Sequence, residues 1–179
     1  IHSQLSTETN ELQENKPLEV YLHPGLPELV IKSLSLNDHQ SLSTTKAGIG
    51  KILLGPTADE DVDEKGSIWT YALVAPFFTL EDGISLEDLQ LLWQGNPPQG
   101  FSFTHILMTS ITRSSLTELL GTPHDHFVRT VSHQELLEKS LTKESFLGII
   151  PFENLSPQFK ILRIDGTSPI DSDFDPTNY

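Results

Sequence analysis

Apolar residues along this chain come in short bursts divided by polar and turn-forming stretches. Leu18-Glu19-Val20-Tyr21-Leu22 predicts a first strand, broken by His23-Pro24-Gly25. Leu26 to Leu34 then predicts a helix, with Leu26, Leu29, Val30 and Ser33 near one face. After the polar stretch Asn37 to Thr45, Lys51-Ile52-Leu53-Leu54 has the pattern of a buried strand that Gly55-Pro56-Thr57 ends. The strongest strand signal is Ile68 to Pro76, a continuous aromatic and aliphatic run that predicts a central strand covered on both faces.

Three helix starts are marked by a hydroxyl residue with an acidic residue three positions on: Ser85–Asp88, Ser115–Glu118 and Ser132–Glu135. In the first helix Leu86, Leu89, Leu92 and Trp93 fall at helical spacing, so Leu86, Leu89 and Trp93 are expected to be buried together. Gly95 and Gly121 stand where C-terminal caps belong. Further strands are predicted at Phe103–Met108, Phe127–Val131, Phe146–Pro151 and Lys160–Ile164, before a turn-rich tail from Asp165.

Strands alternate with helices throughout, which predicts an α/β fold with mixed or largely parallel sheets. Ligands in such folds bind beyond the carboxyl ends of strands, at helix N-termini. The 179 residues suffice for one sizeable core or two small lobes sharing a hinge. Residues 1–17 are expected to form a polar extension.

The net charge of −14 changes the list of partners. So acidic a surface repels nucleic acid and anionic lipid, and the eleven Lys and Arg are scattered rather than clustered. Cysteine is absent, which removes disulfides, thiolate nucleophiles and Cys-ligated zinc. No apolar run approaches the roughly 20 residues of a membrane span. No signal peptide is visible, and the start at Ile1-His2-Ser3 is that of a trimmed mature protein or a fragment.

Three stretches resemble the type II periplasmic solute-binding proteins of the phosphate-binding kind. Tyr71–Pro76 followed by Ile84–Gly95 is similar to the family's hinge strand and the helix after it. Ile106 to Gly121 is similar to its strand leading into a hydroxyl-rich helix start. Leu147–Pro151, Lys160–Pro169 and finally Tyr179 are similar to its return strand and its closing Asp-Gly motif. The resemblance covers roughly residues 68 to 179. It implies a compact, two-lobed, non-catalytic and extracytoplasmic binding module, with phosphate or another small anion, or a polymer end, as ligand. On this resemblance a first lobe runs from 18–78, a second over 79–146, and the chain returns to the first over 147–179, with hinges near Ala75-Pro76 and near Phe146 to Pro151. Its partner would be a membrane transporter or a fused C-terminal domain, as in bacterial capsule or poly-gamma-glutamate synthesis proteins; a structural domain of such a cell-envelope protein, with a degenerate cleft, is the alternative. The family grips phosphate with Ser-Gly-Thr at a helix start and an upstream Arg. Here the stretch is Thr112-Arg113-Ser114-Ser115-Leu116-Thr117, without Gly, and the family's Gly-rich first loop is replaced by His23-Pro24-Gly25-Leu26.

The candidate ligand-binding residues are accordingly Thr57, Thr112, Arg113, Ser114 and Ser115. Backbone N–H groups at a helix start, hydroxyls and a guanidinium suit an oxyanion. The same Ser114 or Ser115 would equally serve as an ordinary N-cap, and Thr57 as an ordinary turn residue. Asp59, Asp61 and Asp63 alternate like a calcium loop, but its sixth and twelfth places hold Glu64 and Thr70 instead of Gly and Glu. Asp171, Asp173 and Asp175 fail likewise, and His124 and His126 have no third metal ligand placed near them by the sequence. No hydrolase elbow, zinc helix, phosphate loop or dinucleotide fingerprint occurs, so neither catalysis nor a cofactor is expected.

Overall fold

The computed structural model describes residues 17–46, 51–56, 68–176 and 179. Its opening part runs β1 (Leu18–Leu22), α1 (Glu28–Ser33), β2 (Gln40–Ser43) and β3 (Lys51–Leu54). These strands make a parallel sheet in the order β2-β1-β3. There follow β4 (Tyr71–Pro76), β5 (Gly83–Ile84), α2 (Leu86–Trp93), β6 (Ile106–Met108), α3 (Ser110–Leu120), β7 (Val128–Thr130), α4 (His133–Ser140), β8 (Leu147–Pro151), β9 (Phe159–Ile161) and β10 (Arg163–Ile164). Five of these strands form a mixed sheet, β7-β6-β8-β4-β9, in which β4 runs antiparallel to both neighbours. Mixed sheets flanked by helices are the α/β class expected from the alternation of patterns. The pairing cuts across the boundaries read from the sequence: β4, β6, β7, β8 and β9 share one sheet, and residues 18–54 make their own.

From Ala72 to Pro76 every residue of β4 is buried, because helices cover both faces. Leu73 and Ala75 face a core with Leu89, Leu92 and Trp93 of α2 and Leu116 of α3. Ala72 and Val74 face a second core with Leu136 of α4, Phe146 and Phe159. Gly148 is required where β8 passes β4, since a Cβ there would lie 2.6 Å from a Val74 methyl.

The helix ends follow local chemistry. The Ser85 hydroxyl accepts from the Asp88 N–H at 3.0 Å and the Ser132 hydroxyl from the Glu135 N–H at 3.1 Å, as the capping pattern predicts. Gly95 has φ 86°; its N–H donates to the Leu92 carbonyl and that of Asn96 to the Leu91 carbonyl, which closes α2. The Trp93 indole N–H donates to the Gly121 carbonyl at 3.0 Å and ties α2 to the end of α3.

Several elements depart from the pattern. The helix expected over Leu26 to Leu34 is confined to Glu28–Ser33 and buries no residue; Leu29 is 61% exposed. Pro27, in extended geometry, sets the later start, and Leu26 is buried from the preceding turn instead. The polar run Asn37–Thr45 contains β2, an edge strand that β1 recruits by hydrogen bonding and not by apolar burial. Ile52 of the supposedly buried β3 is 38% exposed because β3 is the opposite edge. The central strand begins at Tyr71, with Ile68 exposed. The helix expected to open at Ser115 begins at Ser110: the Thr109 hydroxyl caps it by accepting from the Thr112 N–H, so Ser115 lies in mid-helix. Lys160–Ile164 divides at Leu162, β9 joining the large sheet and β10 pairing with β5. The extension Ile1–Lys16 and the acidic loop Asp59–Glu64 lie outside the described residues.

Leu86 also departs. It is 41% exposed, and the inward stripe of α2 is Leu89, Leu92 and Trp93. Truncating Leu89 to Ala is expected to cost about 2–5 kcal/mol in urea unfolding, as core truncations do. Leu86→Ala is expected to cost about 0.5 kcal/mol or less. Equal losses for the two would contradict this assignment of the buried face.

Candidate functional site

Both parallel arrangements place their first strand in the middle. β1 is flanked by β2 and β3, and β6 by β7 and β8. The chain therefore leaves β1 and β6 towards one side and later returns to the other. Strand reversals of this kind are where α/β folds hold ligands, beyond the carboxyl ends of the strands. The turn after β1 lies against α3, the helix after β6, and the Ser115 hydroxyl donates to the Gly25 carbonyl across the contact. A Cβ at Gly25 would stand 2.4 Å from the Ser115 nitrogen and 2.7 Å from its Cα, so only glycine lets the turn approach the helix backbone this closely.

Charged and polar groups gather around the contact. His23 is held by its N–H to the Leu54 carbonyl at 2.8 Å, and its Nδ1 accepts from the Gly25 N–H at 3.0 Å. With Nδ1 accepting, the neutral ring carries its proton on Nε2, which lies 3.5 Å from a Glu118 carboxylate oxygen. The other Glu118 oxygen pairs with Lys46 at 2.5 Å. Glu118 thus links α3 to the turn after β1 and to the segment after β2. The Lys46 hydrogen bond and charge, then His23, hold its carboxyl below the usual range, and Glu118 in turn raises the Lys46 ammonium. Burial pushes the Tyr71 phenol up, opposed by its hydrogen bond to Ser115.

The residues singled out in the sequence are distributed around α3 and do not converge on one point. Thr112 is fully buried, its hydroxyl 3.1 Å from that of Thr109. Ser115 is buried against Gly25, and its hydroxyl also lies 3.2 Å from the Ile111 carbonyl. Ser114 is half-buried. Arg113 is about 200° around the helix from Ser115 and pairs with Asp125, whose side chain is 86% exposed. The Arg113 N–H is bonded to the Thr109 carbonyl at 2.9 Å, so it is not a free donor of a helix start. Thr57 lies outside the described residues. His124 packs over Gly95 at the end of α2, and His126 lies with its ring 6.2 Å from that of His105.

Sequence reading passed over His23, Lys46, Tyr71 and Glu118. A histidine at the carboxyl end of the first strand, just before Pro-Gly, was the available signal for His23. Lys46 and Glu118 lie far apart in the chain and meet only through the fold.

No family model matches the chain, and no curated protein matches it. Among solved structures it is similar to an ABC-type phosphate transport receptor from Vibrio cholerae, at 13% identity and a TM-score of 0.48. The likeness covers 56% of this chain and 48% of that one, so the chain spans about half the receptor's length.

Proposed function

We propose that this chain is a non-catalytic, extracytoplasmic ligand-binding module that takes a small anion, phosphate or a related oxyanion, where the turn after β1 meets the helix after β6. The observation that carries the reading is that contact: the turn after β1 and the helix after β6, each leaving a central strand of its parallel arrangement, touch at Gly25 and Ser115. Cations stand to either side of α3. Lys46 faces Glu118, and Arg113 faces Asp125. Exposed ion pairs contribute little, about 0–1 kcal/mol, so a ligand oxyanion competes with Asp125 for Arg113 at small cost. Against a chain charge of −14, such local cations are what would draw an anion in. Thr57, Thr112, Ser114 and Ser115 are the hydroxyls assigned to the ligand on this reading. The three-stranded sheet and the five-stranded sheet are its two lobes. A membrane transporter or a C-terminal domain of the same protein is its partner.

One observation favours a second reading, a structural domain of a cell-envelope protein with a degenerate cleft. The close Gly25–Ser115 contact leaves no gap at that point of the junction.

One measurement separates these readings, and a second tests the junction itself. In calorimetry with phosphate, sulfate and acidic oligomers, Arg113→Ala is expected to weaken anion binding by about 1.5–3 kcal/mol, the range for a charged hydrogen bond. Asp125→Asn, which frees Arg113, is expected to tighten it. Absence of anion binding at millimolar concentration would leave the structural reading.

The second measurement uses pH. The lowered Glu118 carboxyl stabilises the junction above its unfolded pKa, and that contribution is lost as pH falls through the lower folded value. Hydrogen-exchange protection of the 25–26 amides is expected to fall across that acid window. In Glu118→Gln the protection is expected to be reduced already at neutral pH, without the acid step. An unchanged acid step in that variant would assign it to another group.

A further inference from the structure

A separate recess of about 450 Å3 lies between α4 and the β6–β7 edge. Its floor includes Leu107 and Phe146, which belong to the core under α4, whereas α3 packs through Leu116 into the other core. The recess is therefore on the face of the large sheet opposite the junction. Its size falls within the range of small-molecule sites, about 300–1,000 Å3.

Two of its polar groups are without an acidic partner. The Arg129 guanidinium makes one weak contact, from Nε to the His126 carbonyl at 3.4 Å. Among the described residues no carboxylate lies within ion-pair distance of it. His105 is oriented by Thr104. The Thr104 hydroxyl donates its only proton to the Ser145 carbonyl at 2.8 Å, so its 2.8 Å contact with His105 must be Nδ1–H donating to the Thr104 oxygen. The neutral ring then has an unprotonated Nε2. The charges acting on His105 are Arg129 on β7, His126 before it, Lys139 on α4 and Glu144 after it. Burial, then Arg129, His126 and Lys139, push the imidazole below its usual range, and only Glu144 opposes them. Glu144 is itself paired with Lys139 at 2.9 Å. Glu135, the remaining carboxylate of the lining, is exposed and is not among the charges that act on His105.

We infer that this recess is a binding site for small monocarboxylates with an apolar body, the carboxylate held between the Arg129 guanidinium and His105 and the body resting towards Leu107, Val131 and Phe146. The guanidinium fork matches a carboxylate in two hydrogen bonds. The arriving negative charge offsets the surrounding cations, so Nε2 takes a proton from solvent and becomes the second donor. Binding and proton uptake are therefore coupled at this site.

The test is calorimetry on the whole chain with the series from acetate to hexanoate, with inorganic phosphate for comparison, in two buffers of different ionisation enthalpy. Affinity is expected to rise by about fourfold for each methylene that reaches the floor, with proton uptake above the His105 pKa. Arg129→Ala is expected to lower affinity by about tenfold to a hundredfold, and Arg129→Lys to restore only part of it. Its thermal midpoint should match the parent, because the Arg129 side chain is exposed. His105→Gln is expected to bind more weakly and to lose the proton uptake. Arg113→Ala is expected to leave carboxylate binding unchanged, which separates this site from the junction. Absence of monocarboxylate binding at millimolar concentration, affinity indifferent to chain length, or binding insensitive to Arg129→Ala would overturn the inference. So would phosphate binding with the same dependence on Arg129, which would reassign the recess to oxyanions in general.

Discussion

Strand β4 sets the constraint from which the rest of the large sheet follows. From Ala72 to Pro76 it has no exposed face, so the chain must supply cover on both sides. Alternate residues then address different partners: Leu73 and Ala75 take α2 and α3, and Ala72 and Val74 take α4. The strand's hydrogen bonds are claimed on both edges by β8 and β9, both antiparallel. A strand with neither a free face nor a free edge cannot shift register without exposing its whole apolar set. The helices on either side are thereby fixed in height, and with them the positions of Thr109 at the head of α3 and His105 at the foot of β6.

The small sheet depends on a different contact. Its helix α1 buries nothing, and Leu29, Leu42 and Ile52 are exposed, so little apolar area of its own holds it. Among the described contacts that join it to the rest are polar ones: the Gly25–Ser115 contact, flanked by His23, Glu118 and Lys46. Such a joint is open to pH and to competing ions in a way that the apolar packing around β4 is not. The proposed anion site lies between the two sheets. The recess by Arg129 belongs wholly to the large sheet and its helices.

The legible parts of the fold were those that one segment can encode. The run Tyr71–Pro76 marked itself as central by continuous apolarity. Ser85 and Ser132 marked their helices by a cap three residues from its acceptor's donor, and Gly95 marked the end of α2. Where two local signals competed, the pattern misled. Ser115–Glu118 has the spacing of a capping box, yet Thr109 begins the helix one and a half turns earlier because it follows β6 directly. Leu86 has the spacing of a core position, yet α2 meets the sheet through Leu89, Leu92 and Trp93. Periodicity fixes which residues share a face; the docking angle decides how far along the helix that face is covered.

The candidate site was legible only in part, for the same reason. The sequence by itself determined the α/β class, the central strand, two of the three capped helix starts and the chain's acidic charge. It also drew attention to the hydroxyls and Arg113 beyond β6, since their residue types alone carry chemistry. Only the tertiary structure decided that Gly25 must lack a side chain and that Glu118 reaches both His23 and Lys46. It alone placed Arg129 and His105 at one recess. Those relations join residues far apart in the chain, and no local period or spacing encodes them; they come into being when strands pair and helices dock.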